Sequence, residues 1–235
     1  RVHCQVRTNG AITGRMTHSK PNLAQVPRVG SEYGEECRSV WIVDEGNVLL
    51  GADASGLELR MLAHYMDDPS YTREILEGDI HTANMKAAKI GSIIGGRERE
   101  GKRLIDSFLK NTPALQKLRD KVSRLAEKGW LPGLDGRRLI VRSQHAALNT
   151  LLQGAGAIIM KQALIILNRK LIHANMDARF VANVHDEWQI ETTEQDAETV
   201  GHFAVQSIRQ AGIRLKLRCP LDGQFKVGLN WAATH

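Results

Sequence analysis

Cysteine is scarce, three residues in 235. Cys4, Cys37 and Cys219 stand far apart and form no C-x-x-C pair, which argues against a zinc site and against the disulfide framework of a small secreted domain, and fits a reducing cytosol. Long apolar runs are missing as well. The richest stretch, Ala155 to Leu167, is interrupted by Lys161 and Gln162, so no run approaches the ~20 residues that cross a bilayer, and neither a membrane segment nor a signal peptide is predicted. Aromatics make up only 5%, but hydrophobic residues at 42% and charged residues at 25% are ordinary for a globular protein, which excludes a disordered or fibrous chain. There is no internal repeat and no low-complexity tract. The length suits one large domain or two small ones with a sizeable core. Acidic residues number 26 against 32 Lys and Arg, a net charge of +6. That excess is moderate; a solvated basic surface accounts for it unless motifs supply a polyanionic partner. The first residue is Arg1 and the sequence opens in mid-pattern, as a piece of a longer chain would.

Hydrophobic spacing divides the chain into an α+β series of elements. His3 to Arg7 and Ala11 to Thr13 flank Asn9-Gly10, a dipeptide suited to a two-residue hairpin turn. The polar segment Gly14 to Arg28 reads as ordered loop. Asn47 to Ala54 is a Val/Leu-rich strand that passes after Ser55 into a helical pattern at Leu57, Leu59, Leu62, Ala63 and Met66. Further helices are predicted over Ile80 to Ala88, Glu98 to Lys110, Ala114 to Lys128 and Ala146 to His173, with Pro113 as a start signal and Gly129 as a stop. Trp130 to Val141 forms a hairpin around Leu134-Asp135-Gly136. Gly154 and Gly156 each cost the long helix about 1 kcal/mol relative to alanine, so a packing or functional reason is expected. Phe180 to Val184 and Trp188 to Glu191 are strands meeting at a tight turn. A helix over Glu194 to Gln210 and strands near Leu215 to Leu217 and Phe225 to Gly228 follow. The fold expected is a small, mainly antiparallel sheet with surrounding helices.

Two acidic positions stand where chemistry could sit. Asp53 ends the first strong strand, and Asp186 with Glu187 occupies the turn between two later strands. Carboxylates on separate rigid elements suit two-metal phosphoryl transfer, because hard Mg²⁺ ions take oxygen ligands and bracket the reacting phosphate ~3.5–4 Å apart. Each position also has a purely structural reading: Ser55-Gly-Leu-Glu58 fits a capping box that starts a helix, and Asp186 suits a turn.

Asp53-Ala-Ser-Gly-Leu-Glu-Leu-Arg60 resembles motif A of the family A DNA polymerases, and Val184-His-Asp-Glu187 resembles their motif C. Thr13-Gly-Arg-Met-Thr17 with Pro21-Asn-Leu-Ala-Gln-Val-Pro27 is similar to the block preceding motif A. Gly78-Asp-Ile-His-Thr82 and His145-Ala-Ala-Leu-Asn-Thr-Leu-Leu-Gln-Gly154 match two further blocks, all five in order, and the flavour is that of phage replicative enzymes. The resemblance implies a polymerase palm with part of the fingers: palm over 1–79, partial fingers over 80–129 and palm again over 130–235. It implies template-directed addition of deoxynucleotides to a primer 3′-end. Asp53 and Asp186 would hold two Mg²⁺ ions, with Glu187 as an auxiliary carboxylate. Glu58 would crowd the sugar C2′ and reject ribonucleotides. His81 would contact the triphosphate. Arg15, Asn149 and Gln153 would meet the primer-template, Arg15 and Gln153 at minor-groove acceptors present on every base pair, which tests pair geometry without reading sequence. His145 and His185 would support the template and primer backbones. Partners implied are primer-template DNA and dNTPs, with any processivity factor engaging regions the chain lacks; the expected location is bacterial or phage-infected cytoplasm.

Motif B, the fingers helix that grips the triphosphate, has no counterpart. Ala83 to Lys89 passes directly into Ile90-Gly-Ser-Ile-Ile-Gly-Gly96, which resembles sequence beyond that helix, and neither Lys86 nor Lys89 has the spacing to substitute. Omission of a mobile segment, a real deletion, or a split polymerase explain this, the first preferred because that helix swings open and closed. Thumb and exonuclease are also missing, so a weak, salt-sensitive grip on DNA is expected. The alternative function is a non-catalytic DNA-binding remnant or one subunit of a split enzyme. Gly96-Arg-Glu-Arg-Glu-Gly-Lys102 imitates a phosphate-binding loop, but Arg103 stands where a Mg²⁺-binding Ser or Thr belongs, which counts against a nucleotide hydrolase dependent on Lys102.

Overall fold

The computed structural model describes residues 1–78 and 112–234. His81, the helices predicted over Ile80 to Ala88 and Glu98 to Lys110, and the Gly96 to Lys102 segment lie outside the described residues.

A four-stranded antiparallel sheet organises the fold. Its strands are β3 (Asn47–Ala54), β6 (Ala178–Val184), β7 (Glu187–Thr193) and β8 (Gly223–Gly228), in the order β6-β7-β3-β8. In β3 and β7 the residues alternate between two faces, as the two-residue repeat of a strand requires. Leu50, Ala52, Ala54, Trp188 and Ile190 point one way and join the main core. Two long helices cover that face: α5 (Ala147–His173), which supplies Ala155, Ile159, Ala163 and Leu167, and α6 (Glu194–Arg214), which supplies Val200, Ala204, Ile208 and Ala211. The other face carries Gly51, Asp53, Glu187, Gln189 and Glu191, matched by the register Gly51↔Gln189 and Asp53↔Glu187. The expected α+β architecture is therefore the one observed.

Four short strands, four shorter α-helices and two one-turn helices, Leu23–Gln25 and Gln144–Ala146, complete the described structure. β1 (Gln5–Arg7) and β2 (Thr17–Ser19) pair near the N-terminus, and α1 (Gly34–Ser39) follows. After β3 come α2 (Leu57–Met66) and α3 (Pro69–Glu77), then α4 (Pro113–Ala126) and the hairpin β4 (Trp130–Pro132) with β5 (Arg138–Ile140). Leu115, Leu118, Val122 and Ala126 of α4 form an apolar stripe at helical spacing, which meets Leu131, Leu139 and Leu151 in a second core. Pro113 starts α4 as anticipated.

Three local expectations are corrected. The first hairpin pairs Arg7 with Thr17, leaving residues 8–16 as its connection instead of a two-residue turn. Gly10 permits this, because a Cβ there would lie 1.9 Å from Thr17 Oγ1 as the loop folds back on β2. Leu215 to Leu217 is a helix end, not a strand. Lys216 adopts a positive φ of 53°, its N–H bonds Ile213 C=O and the Leu217 N–H bonds Gly212 C=O, the paired bonds of a Schellman cap. Leu215 and Leu217 pack on the core from the cap, and that packing produced the alternation mistaken for a strand. Finally, the helix Gln144–His173 is by length and composition apolar enough to cross a membrane, contrary to the sequence expectation, and more than half of its most apolar stretch is buried inside the protein. The core formed with the sheet and α6 accounts for that apolarity.

Candidate functional site

At one end of the sheet the chain gathers its carboxylates. Asp53 is the penultimate residue of β3, and its Cα faces Glu187 on one side and Gln224 on the other. The Ala54 N–H donates to the Asp186 carbonyl at 3.1 Å, tying the strand end to the turn between β6 and β7. That turn is His185-Asp186, with His185 in the left-handed region at φ 59°. A non-glycine residue held there is a local strain that surrounding structure must support. Asp53 and Asp186 are half-buried and Glu187 is buried.

Glu58 lies in the first turn of α2, directly after the strand. The capping box expected for Ser55 to Glu58 does not form. The helix begins at Gly56 with φ 59° and no side-chain cap, a conformation that costs glycine little. The Glu58 carboxylate instead accepts from Arg15 Nη2 at 3.1 Å. Arg15 comes from the β1–β2 connection, which Lys161 of α5 anchors by donating to the Thr8 carbonyl and to Asn9 Oδ1. His185 sits among these charges. Partial burial and the Arg15 guanidinium hold its ring below the usual histidine range, opposed by Asp186, Glu187 and Glu58. One end of the sheet thus unites Asp53, Asp186, Glu187, Glu58, Arg15 and His185.

The three other predicted residues that are described lie along the start of α5. His145 is exposed on the one-turn helix Gln144–Ala146, Asn149 is exposed one turn further on, and Gln153 is half-buried four residues later on the same face. Gly156 follows where α2 crosses, since a Cβ there would meet Leu57 Cδ2 at 3.2 Å, and a Cβ on Gly154 would meet Leu139 Cδ1 at 2.8 Å. Both glycines are explained by close packing. The contact between Leu57 and Gly156 brings the first turn of α2, with Glu58, against the helix bearing Gln153.

Behind Glu187 lies a buried polar network that the sequence reading did not find. Glu187 Oε1 accepts from Trp231 Nε1 at 2.8 Å and from Gln189 Nε2. Thr234 Oγ1 lies 3.0 Å from Gln189 Oε1. The Arg38 guanidinium rests 4.5 Å over the Trp231 ring while its Nε donates to the Pro27 carbonyl at 2.7 Å. Burial pushes the Arg38 guanidinium down, whereas attraction to Glu187 raises it and Arg28 lowers it. The only sequence signal was the polar alternation Glu187, Gln189, Glu191 between apolar Trp188 and Ile190, in a strand whose every residue to Thr192 is buried.

Among the described residues no group of three or more His, Cys, Asp or Glu side chains is arranged around a metal. Two hard carboxylates still fit Mg²⁺, which binds through one or two protein carboxylates with water and substrate phosphate completing its shell.

Two buried histidines make stability depend on pH. Burial lowers His64, with Arg218 adding to the shift and Asp67 opposing it; burial and His185 lower His18, opposed by a backbone bond to Asn183. The fold favours the neutral form of each, while the unfolded chain takes up a proton near the ordinary value of ~6.5. Their stabilising contribution is whole above that value and is lost as pH falls through the lowered folded values. His64 Nδ1 accepts from the Arg218 N–H at 3.2 Å. In thermal melts from pH 7.5 to 5, His64→Gln is expected to show a shallower acid loss than the unmodified chain; equal slopes would contradict this assignment.

The DNA polymerase family A model matches residues 1–92 and 84–233, two pieces that overlap at 84–92. The DNA-directed DNA polymerase of Enterobacteria phage T3 is 40% identical over 290 aligned positions, covering all of this chain and 41% of the relative. The DNA-directed DNA polymerase of Escherichia phage T7 matches to the same extent, and DNA polymerase I of Aquifex aeolicus is 29% identical over 98% of this chain and 46% of its own length. The chain therefore spans about two fifths of the phage relatives it matches. A solved structure, the POL domain of Pol1 from M. smegmatis in complex with DNA primer-template and dNTP, superposes with a TM-score of 0.88 at 22% identity, over the whole of this chain and 48% of that one, a likeness of fold. With its sequence matched by the family model on both sides of residues 84–92, the chain belongs to DNA polymerase family A.

Proposed function

We propose that this chain is the palm-centred catalytic core of a DNA-directed DNA polymerase, adding deoxynucleotides to a primer 3′-end under template direction. The observation that carries the reading is the meeting of Asp53 with Asp186 and Glu187 at one sheet end, secured by the Ala54 to Asp186 backbone bond. Asp53 and Asp186 would hold Mg²⁺, and Glu187 would support them. When bound, two such ions lower the pKa of an attacking hydroxyl and neutralise charge on a leaving pyrophosphate.

The remaining residues divide the work of holding substrates. Arg15 and Gln153 would offer N–H donors to minor-groove acceptors, Asn149 would meet the primer-template, and His145 and His185 would support the template and primer backbones. His81 would reach the triphosphate from outside the described residues. The domain division proposed remains palm over 1–79 and 130–235 with partial fingers between. The relatives from phages and bacteria are named as DNA polymerases, and a location in bacterial or phage-infected cytoplasm is proposed on that basis.

Glu58 is proposed to stand at the sugar of the incoming nucleotide, held in place by Arg15. A steric contact of this sort is worth about 1–3 kcal/mol, roughly 10- to 200-fold in selectivity. Glu58→Ala is therefore expected to raise the ratio of ribonucleotide to deoxynucleotide incorporation at least about tenfold. An unchanged ratio would remove Glu58 from that role.

A specific observation supports a second reading. Alignment to the T3 relative needs 290 positions for a chain of 235, so at least 290 − 235 = 55 positions have no residue here. The two pieces of the family match overlap at 84–92, the stretch where the sequence reading finds no motif B. A non-catalytic remnant, or one subunit of a split polymerase, fits this deficit. Primer extension by the chain with Mg²⁺ and four dNTPs discriminates: template-complementary addition supports the catalytic core, and DNA binding without extension supports the second reading.

A further inference from the structure

We propose that Trp231 is a positioning residue: its indole N–H, backed by Arg38 and joined by Gln189, fixes the Glu187 carboxylate beside the Asp53 and Asp186 pair. The proposal rests on the polymerase reading for its consequence, but its geometry stands by itself. Glu187 is next to Asp186 in sequence and opposite Asp53 in register, so the direction of its carboxylate shapes the space between them. One oxygen, Oε1, takes both N–H donors, from Trp231 at 2.8 Å and from Gln189. Two donors on one oxygen set the plane of the carboxylate.

The C-terminal segment is built to deliver that indole. Asn230 bridges Ile42, the Trp231 N–H donates to the Trp41 carbonyl at 3.0 Å, and the two tryptophan rings meet edge to face with centroids 6.5 Å apart. Arg38, buried, stacks over the Trp231 ring and contributes positive charge towards Glu187. Gly51, in the middle of β3, leaves the space this arrangement fills. A Cβ there would lie 2.7 Å from Gln189 Nε2, 2.7 Å from Thr234 Cβ and 2.8 Å from the Thr234 carbonyl. A glycine weakens a strand interior, so close approach of the crossing segment is a sufficient reason for it.

Trp231→Phe removes the N–H donor and keeps a ring for Arg38. In primer extension its kcat is expected to fall about tenfold, the loss of one charge-assisted hydrogen bond, with KM for dNTP and Kd for DNA within about twofold. On a Glu187→Ala background the same substitution should cost nothing further, whereas a merely structural tryptophan would cost the same in both. Gln189→Met keeps the volume and should act in the same direction. The indole ¹H–¹⁵N spectrum supplies a readout independent of activity: the resonance lost in Trp231→Phe should shift in Glu187→Ala. An unmoved resonance, or additive losses in the cycle, would overturn the proposal. Absence of extension by the unmodified chain would instead count against the polymerase reading, leaving the spectrum to decide the contact.

Discussion

Replacing Asp186 by alanine is expected to lower the rate of primer extension by at least about 10³-fold, some 4 kcal/mol of transition-state stabilisation, while DNA affinity changes little or tightens slightly. The size follows from what the side chain is proposed to do. A cation held by two carboxylates and substrate oxygens loses half its protein ligands, and charge developing on the phosphate is no longer neutralised. Affinity is spared because the groups proposed to grip the duplex are cationic or amide side chains, Arg15, Asn149 and Gln153 among them, and deletion of a carboxylate removes a repulsion. The fold is spared as well: the turn is secured by the Asp186 backbone carbonyl, which accepts from Ala54 and is present in alanine. Asp53→Ala should behave alike. Glu187→Gln should do less, since a glutamine can present an oxygen to Trp231 and Gln189. Single-turnover extension with the three variants measures the order, and near-normal extension by Asp186→Ala would end the assignment of the carboxylates.

How far the site was legible depends on the distance over which its residues signal. Asp53 and Asp186 were found because each ends a strand or fills a turn, a local feature that spacing records, and the family resemblance then joined them. Their pairing across β3 and β7 is a matter of register, which no single segment carries. Glu58 shows the limit in the other direction. Its local pattern suggested a capping box, but the left-handed Gly56 begins the helix unaided and the carboxylate turns to Arg15, forty-three positions away in the chain. Trp231 and Arg38 gave no signal at all. Trp231 reaches Glu187, and Arg38 stacks on Trp231, only after the C-terminal segment crosses the sheet over Gly51, so their role exists in tertiary structure alone. The Schellman cap at Leu215 to Leu217 failed for the opposite reason: two leucines two residues apart read as a strand, whereas the positive φ of Lys216 that closes the helix leaves no trace in a lysine.

Trp188→Ala should cost more stability than any other single change considered. The residue is completely buried at the centre of the main core, opposite Ala52 in β3 and Asn183 in β6. Small residues make its space: Ala52, Ala54, Ala155 and Ala204 all belong to the same cluster. None of them can extend to refill the volume, so the cavity persists, and truncation costs about 3–5 kcal/mol. Against a total stability of about 5–15 kcal/mol, that is a large share. At about 2–4 °C per kcal/mol for a chain of this size, the melting temperature should drop by roughly 6–20 °C. Trp188→Phe separates packing from hydrogen bonding, because Trp188 Nε1 has no hydrogen-bond partner among the described residues. Losing that N–H breaks nothing, and only the smaller ring counts, about 1–2 kcal/mol. The strand's alternation links this core to the site: Trp188 points into the helices because Glu187 and Gln189 point out of them, and a slip of one residue would bury Glu187 against leucines. Trp188→Ala is therefore expected to loosen the end of β7 before the whole chain melts, seen as faster amide exchange at Glu187 than at Ile190. Melting temperatures within about 2 °C of the unmodified chain, or uniform exchange along β7, would show that Trp188 is not the residue that fixes this strand.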